Sequence, residues 1–291
     1  MVKLYRNFKS QEDIDLEYNL NLTVPDLGYW IEWYSRESVI TRRKLDCTLD
    51  VRFGPTVDET VDIFPAKEQG APMLVFIHGG YWVVCSSKDY SYVANGLVDR
   101  GINVVVTNYS LCPKVSIPEI TRQSRAAIAW LYREAPNYDM DPSRIFVAGH
   151  SAGGHQVGML LSTDWQGEYG VPDDVVKGGI TISGIFDLHP LKYSYLQPRI
   201  MLTHEVILRQ SPYLNIPSSG PPILVSFGEE ETAEFHRQST DYLQAWRANG
   251  LQGELLVQEG KHHFSAIEDF NDPESTLCKF IIDFIDRYER M

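Results

Sequence analysis

The sequence has few cysteines, four in 291 residues, at positions 47, 85, 112 and 278. They form no CxxC pair and no metal-like spacing, which argues against a disulfide scaffold or a zinc module. Reduced thiols in a cytoplasmic protein are the simplest reading. Positive charge is also short: 26 Lys and Arg face 39 Asp and Glu, a net charge of −13. That balance repels phosphate backbones and anionic lipid heads, so neither nucleic acid nor a membrane surface is expected as a partner. Apolar runs such as Met73–Ile77 fall far below the ~20 residues of a membrane span. The opening MVKLYRNFKSQEDID carries no apolar signal-peptide core, and no HExxH, repeat or low-complexity stretch occurs.

What is present is ordinary globular material, with 43% hydrophobic and 22% charged residues. At roughly 150 residues per domain the length allows two domains, but one α/β domain can fill it. From Leu74 onward, short β-rich runs alternate with helical ones. Strands are expected at 74–77, 103–107, 144–148, 177–183, 222–227 and 254–258, with helices at 119–134, 234–248 and 273–290. This alternation predicts an α/β fold with a mostly parallel sheet covered on both faces. The first 70 residues differ, being rich in Tyr and Trp, and predict one or two helices plus an early β-hairpin. The expectation is a single domain over 1–291, with residues 1–45 as an N-terminal cap and 190–215 as a helical excursion over the sheet edge.

Gly149-His150-Ser151-Ala152-Gly153 fits G-x-S-x-G between a strand and a helix. A strand turning sharply into a helix exposes the tip hydroxyl at the carboxyl end of the sheet, and only small neighbours fit beside it. Ser151 is therefore the candidate nucleophile. His78-Gly79-Gly80-Tyr81-Trp82 follows the strand at 74–77. Acyl transfer needs backbone N–H groups aimed at the developing oxyanion. Gly79 and Gly80 can approach a substrate closely, and Ala152, next to the nucleophile, supplies another donor. In this order of elements the acid precedes the base. His262 and His263 lie between the last strand and the final helix, and His263, anchored by Phe264, is preferred over His262. The loop after the strand at 222–227 reads Gly228-Glu229-Glu230-Glu231-Thr232. A glutamate must then serve as the acid; Glu231 comes first, with Glu230 second and Glu229 a further option. His150 and His155 read as helix-packing residues rather than metal ligands, and no metal or cofactor is expected.

HGGYW, GHSAGGH, the segment Ser183-Gly184-Ile185-Phe186-Asp187-Leu188-His189-Pro190-Leu191 and the pair His263-Phe264 together resemble the kynurenine formamidase (arylformamidase)-like esterases. The resemblance runs from about Tyr18 to the last helix and implies an α/β-hydrolase fold near the hormone-sensitive-lipase group. It implies nucleophile Ser151, base His263 and an oxyanion hole of Gly79, Gly80 and Ala152. Its pattern of an acid, then Ser or Thr, then EFxRQS falls here on Glu231-Thr232 and Glu234–Ser239. The chain departs from family formamidases in carrying Glu where they have Asp. Tyr81, Trp82 and Phe186 are expected to line the substrate pocket, leaving room for a short acyl group. The function expected is a carboxylesterase for small acyl esters, with hydrolysis of N-formylkynurenine as the alternative. A catalytically silent receptor, like the plant gibberellin receptors, is a different class. Such receptors lose the base, whereas His263 is present. The partner expected is a small-molecule ester or formamide; the oligomeric state stays open, a homodimer being one option.

Overall fold

The computed structural model describes residues 3–288. Three helices come first: α1 (Gln11–Tyr18), α2 (Leu20–Thr23) and α3 (Leu27–Lys44). Strands β1 (Thr48–Arg52), β2 (Thr60–Phe64), β3 (Met73–Ile77) and β4 (Asn103–Thr107) precede α4 (Ile117–Glu134). Then follow β5 (Ile145–His150), α5 (Ala152–Leu161), α6 (Trp165–Tyr169), β6 (Val176–Ile182), α7 (Gln197–Ile200) and α8 (His204–Gln210). The chain ends with β7 (Ile223–Gly228), α9 (Ala233–Ala248), β8 (Gly253–Gln258) and α10 (Thr276–Tyr288). The expected strands and helices from Leu74 onward are all found, shifted by up to three residues at their ends, and the N-terminal segment holds three helices where one or two were expected. Glu289 and Arg290, part of the expected last helix, lie outside the described residues.

All eight strands form one sheet in the order β1-β2-β4-β3-β5-β6-β7-β8. The pairs β1–β2 and β2–β4 are antiparallel and the rest parallel, so β2 alone runs against the others. The early hairpin is thus the antiparallel edge of an otherwise parallel sheet. Central strands are buried along their whole length, and their side chains alternate between two cores. Met73, Val75 and Ile77 join one; Leu74 and Phe76 join the other. The period-2 alternation explains why a strand with helices on both faces reads as a continuous apolar run.

The first core is closed by α4, α5 and α9, through residues such as Ile120, Val157 and Trp246. The second is closed by α10, through Leu277, Ile281 and Phe284, together with Tyr34 of α3. In α4, Pro118 in the first turn and apolar residues at 117, 120, 127, 128 and 131 give one buried stripe. The segment 190–215 is helical but does not lie over the edge of the sheet. Its α8 packs on α4, and Tyr195, Leu196 and Arg199 reach the carboxyl end of the central strand β5. No helix among the described residues is long and apolar enough to cross a membrane.

Candidate active site

β5 ends at His150 and α5 begins at Ala152, so Ser151 alone makes the turn, at φ 56° and ψ −116°. A non-glycine residue in this region is strained, and only its surroundings hold it there. Close backbone approaches around the turn supply that hold. A Cβ on Gly153 would stand 1.9 Å from the Ile77 carbonyl oxygen, so α5 can approach β3 only with glycine at that position. The Ser151 amide is pinned by donating to the Ile182 carbonyl of β6 at 2.9 Å. The amino end of α5 then faces the hydroxyl, favouring negative charge there.

The second loop follows β3. Gly80 has φ +102°, and a Cβ there would meet the Val84 carbonyl oxygen at 2.3 Å. Its own carbonyl accepts from the Val83 and Val84 amides, which curls the loop back. Tyr81 and Trp82 follow, both at positive φ. Among the described residues, no main-chain acceptor meets the amides of Gly79, Gly80 or Ala152. His78 fills the base of this turn. Its ring stacks on Tyr109 at 4.1 Å, and burial pushes it down to about 4, which keeps it neutral.

His263 and Glu231 meet between the loops after β8 and β7. His263 Nδ1 lies 2.7 Å from Glu231 Oε2, and the Glu231 side chain is fully buried. The other carboxylate oxygen accepts from Ser183 Oγ at 2.5 Å and from the Gly228 amide at 2.7 Å. Three donors on one buried carboxylate fix its orientation. With Nδ1 committed to Glu231, Nε2 of His263 is buried and has no partner among the described residues. Ser151 and His263 line one cavity, but no hydrogen bond joins them in this structure. Such contacts often stand open before substrate arrives and close in the complex.

The neighbouring candidates are placed differently. Glu229 and Glu230 are exposed; Glu229 accepts from the Gly260 amide instead. His262 is turned away, its Nδ1 capping the Phe264 and Ser265 amides and its ring edge-on to Trp30. His155 packs within α5, bonding the Gln210 carbonyl at 2.6 Å. His150 is not a helix residue: it ends β5, and its ring lies 4.6 Å from that of His263. Its Nε2 donates to the His263 carbonyl at 2.9 Å. Burial first, and then the facing His263 ring, hold His150 well below the ordinary histidine range. Nδ1 of His150 is therefore a bare acceptor. Ser183, whose hydroxyl orients Glu231, was not among the expected site residues. The signal that could have found it is the Ser-Gly pair ending a buried strand, where Ser183 takes φ 52°.

Leu20, Asn21, Leu27 and Ile31 of the N-terminal segment cover Ser151, with Tyr81, Tyr195 and Phe264, around a cavity of about 330 Å³. Two expected lining residues are not there. Trp82 is fully buried and packs edge-on against His155 beneath the loop. Phe186 stacks on Tyr242 of α9 at 4.0 Å, inside the first core. Both pack into the first core, so aromatic bulk beside a motif does not by itself mean pocket lining. Among the described residues, no three His, Cys, Asp or Glu side chains group as metal ligands.

A protein-family model described as BD-FAE matches residues 61–246. The kynurenine formamidase of Danio rerio is 31% identical over 244 residues, which cover 81% of this chain and 81% of that protein. Esterase LipQ of Mycobacterium tuberculosis is 27% identical, over 72% of this chain and 55% of its own length. Among solved structures, a candidate thioesterase from Silicibacter sp. superposes with a TM-score of 0.80 at 27% identity, covering 91% of this chain and 98% of that one.

Proposed function

The chain belongs to the BD-FAE family and to the kynurenine formamidase-like α/β-hydrolases, and from that membership we propose that it cleaves small-acyl carboxylic esters through an acyl-enzyme on Ser151. In this reading Ser151 attacks the carbonyl carbon while His263 Nε2 takes its proton. The oxyanion rests on the amides of Gly79, Gly80 and Ala152, and the alkoxide leaves with the proton returned by His263. Water, deprotonated by the same Nε2, then releases the acid and restores Ser151. Glu231 holds the Nδ1–H tautomer and offsets the imidazolium charge. The observation that carries this is the 2.7 Å contact of Glu231 with His263 Nδ1, which leaves Nε2 unpartnered in the cavity of Ser151. The N-terminal helices act as the cap, and the substrate pocket is the cavity beneath them. Four cysteines, none paired, fit a cytoplasmic enzyme.

The identity to a kynurenine formamidase supports a second reading, hydrolysis of N-formylkynurenine by the same residues. Side-by-side kcat/KM on that compound and on a series of acyl esters separates the two. Ser151→Ala is expected to lower turnover of every substrate by roughly 10⁴-fold or more and to abolish labelling by a serine-directed organophosphate. Labelling that persists in the variant overturns Ser151 as the nucleophile.

A further inference from the structure

The cavity above Ser151 carries one permanently charged side chain among its lining residues. Apolar residues such as Leu20, Leu27, Val83 and Leu196 make most of the wall; no Asp, Glu or Lys lines it, and Arg199 does. Arg199 belongs to α7 and is exposed, which sets it at the cavity's mouth. One of its Nη atoms donates to the Val83 carbonyl at 3.2 Å, and it has no carboxylate partner among the described residues. A guanidinium carries five N–H donors in a planar fork that matches a carboxylate, and Val83 occupies one. Tyr195 lines the same cavity, and its hydroxyl has no hydrogen-bond partner among the described residues. Burial and the nearby Asp15 push it up to about 12, so it remains a donor.

These features have a direction. A chain of net charge −13 discourages anions everywhere unless a local cation reverses the field. Here that cation stands at the entrance of the apolar cavity holding the candidate nucleophile, with no carboxylate partner among the described residues.

We propose that Arg199 is a specificity-determining residue that selects substrates carrying a carboxylate, held as a charge-assisted pair at the mouth of the Ser151 cavity. The inference rests on the reading of Ser151 as a nucleophile for esters or formamides, and it adds the chemical class of what enters.

Two matched ester pairs test it. Phenyl acetate against 3-acetoxybenzoate places the charge on the leaving part; phenyl butyrate against monophenyl succinate places it on the acyl part. For at least one pair, the anionic member is expected to show kcat/KM about tenfold higher, mainly through KM, as a partly exposed charge pair allows. The ratio is expected to fall to about one in Arg199→Gln, recover in part in Arg199→Lys, and shrink as salt rises from about 0.02 to about 0.5 M. Neutral members that match or exceed the anionic ones in both pairs overturn the inference, as does a preference that survives Arg199→Gln. If Arg199→Gln does not fold, Arg199→Lys and the salt series read the same ratio. Calorimetry of 3-hydroxybenzoate against phenol gives a reading independent of turnover. Were no ester cleaved, the ester reading would fail, and tighter, Arg199-dependent binding of the benzoate would still support the carboxylate site; equal binding would refute it.

Discussion

Glu231 uses both of its carboxylate oxygens: one faces His263 Nδ1, and the other accepts from Ser183 and the Gly228 amide. A glutamine keeps one acceptor and replaces the other with a donor, so it cannot satisfy both sides. Glu231→Gln is expected to lower kcat by roughly 10³- to 10⁴-fold through the wrong imidazole tautomer. A loss under tenfold would assign Glu231 a structural role alone. The longer glutamate fits because the chain turns immediately after Gly228, bringing the Glu231 amide back to the Gly228 carbonyl. Which of three adjacent glutamates faces inward was not legible from their types, since all three are chemically equivalent until the turn fixes their directions.

Buried histidines carry a second consequence at this scale. Burial pushes His78 and His155 each down to about 4. Unfolded, they take up protons near pH 6.5, so between those values the unfolded chain binds more protons than the folded one. Their contribution is complete above pH 6.5 and is lost as pH falls toward 4, on the order of 3 kcal/mol each. Urea midpoints are expected to drop across this range, and His155→Gln, which can still donate to Gln210, is expected to flatten the drop. A slope unchanged in that variant would refute the assignment to His155.

Among the elements, the turn from β5 to α5 is set by distances between backbones. Gly153 lies where any side chain would collide with the Ile77 carbonyl of β3. Gly153→Ala must push α5 off the sheet, at about 3 kcal/mol or more by the usual cost of overpacking. Chemical denaturation measures this directly, and a loss below 1 kcal/mol would mean that the helix moves aside freely. The G-x-S-x-G spacing made this element legible in the sequence, because the small residues that the turn demands all fall within five positions. The excursion at 190–215 was legible as helical but not in position. Its Pro198 and Pro212 mark breaks, whereas its seat over the carboxyl end of β5 depends on contacts with α4, some 80 residues earlier.

Across the whole molecule, the cavity is assembled from the N-terminal helices, the loop after β3, the segment around α7 and the loop after β8. Its volume of about 330 Å³ sits near the lower limit for small-molecule sites. Acetate and butyrate esters are therefore expected to show higher kcat/KM than octanoate esters of the same alcohol. Octanoate turned over equally well or better would show that the N-terminal helices yield to long chains.

The sequence by itself determined the α/β class, the parallel order of the motifs and the residue types able to do acyl chemistry. Each follows from short-range patterns: apolar runs of strand length, glycines around a serine, and an acid and histidines on successive loops. Tertiary structure decided what those patterns leave free. It turned Glu231, not its two neighbours, toward His263, brought Ser183 to its other oxygen, turned Trp82 and Phe186 into the core and put Arg199 at the mouth. Side-chain direction at a loop or strand end depends on the packing of elements remote in sequence, and that information resides in no single segment of the chain.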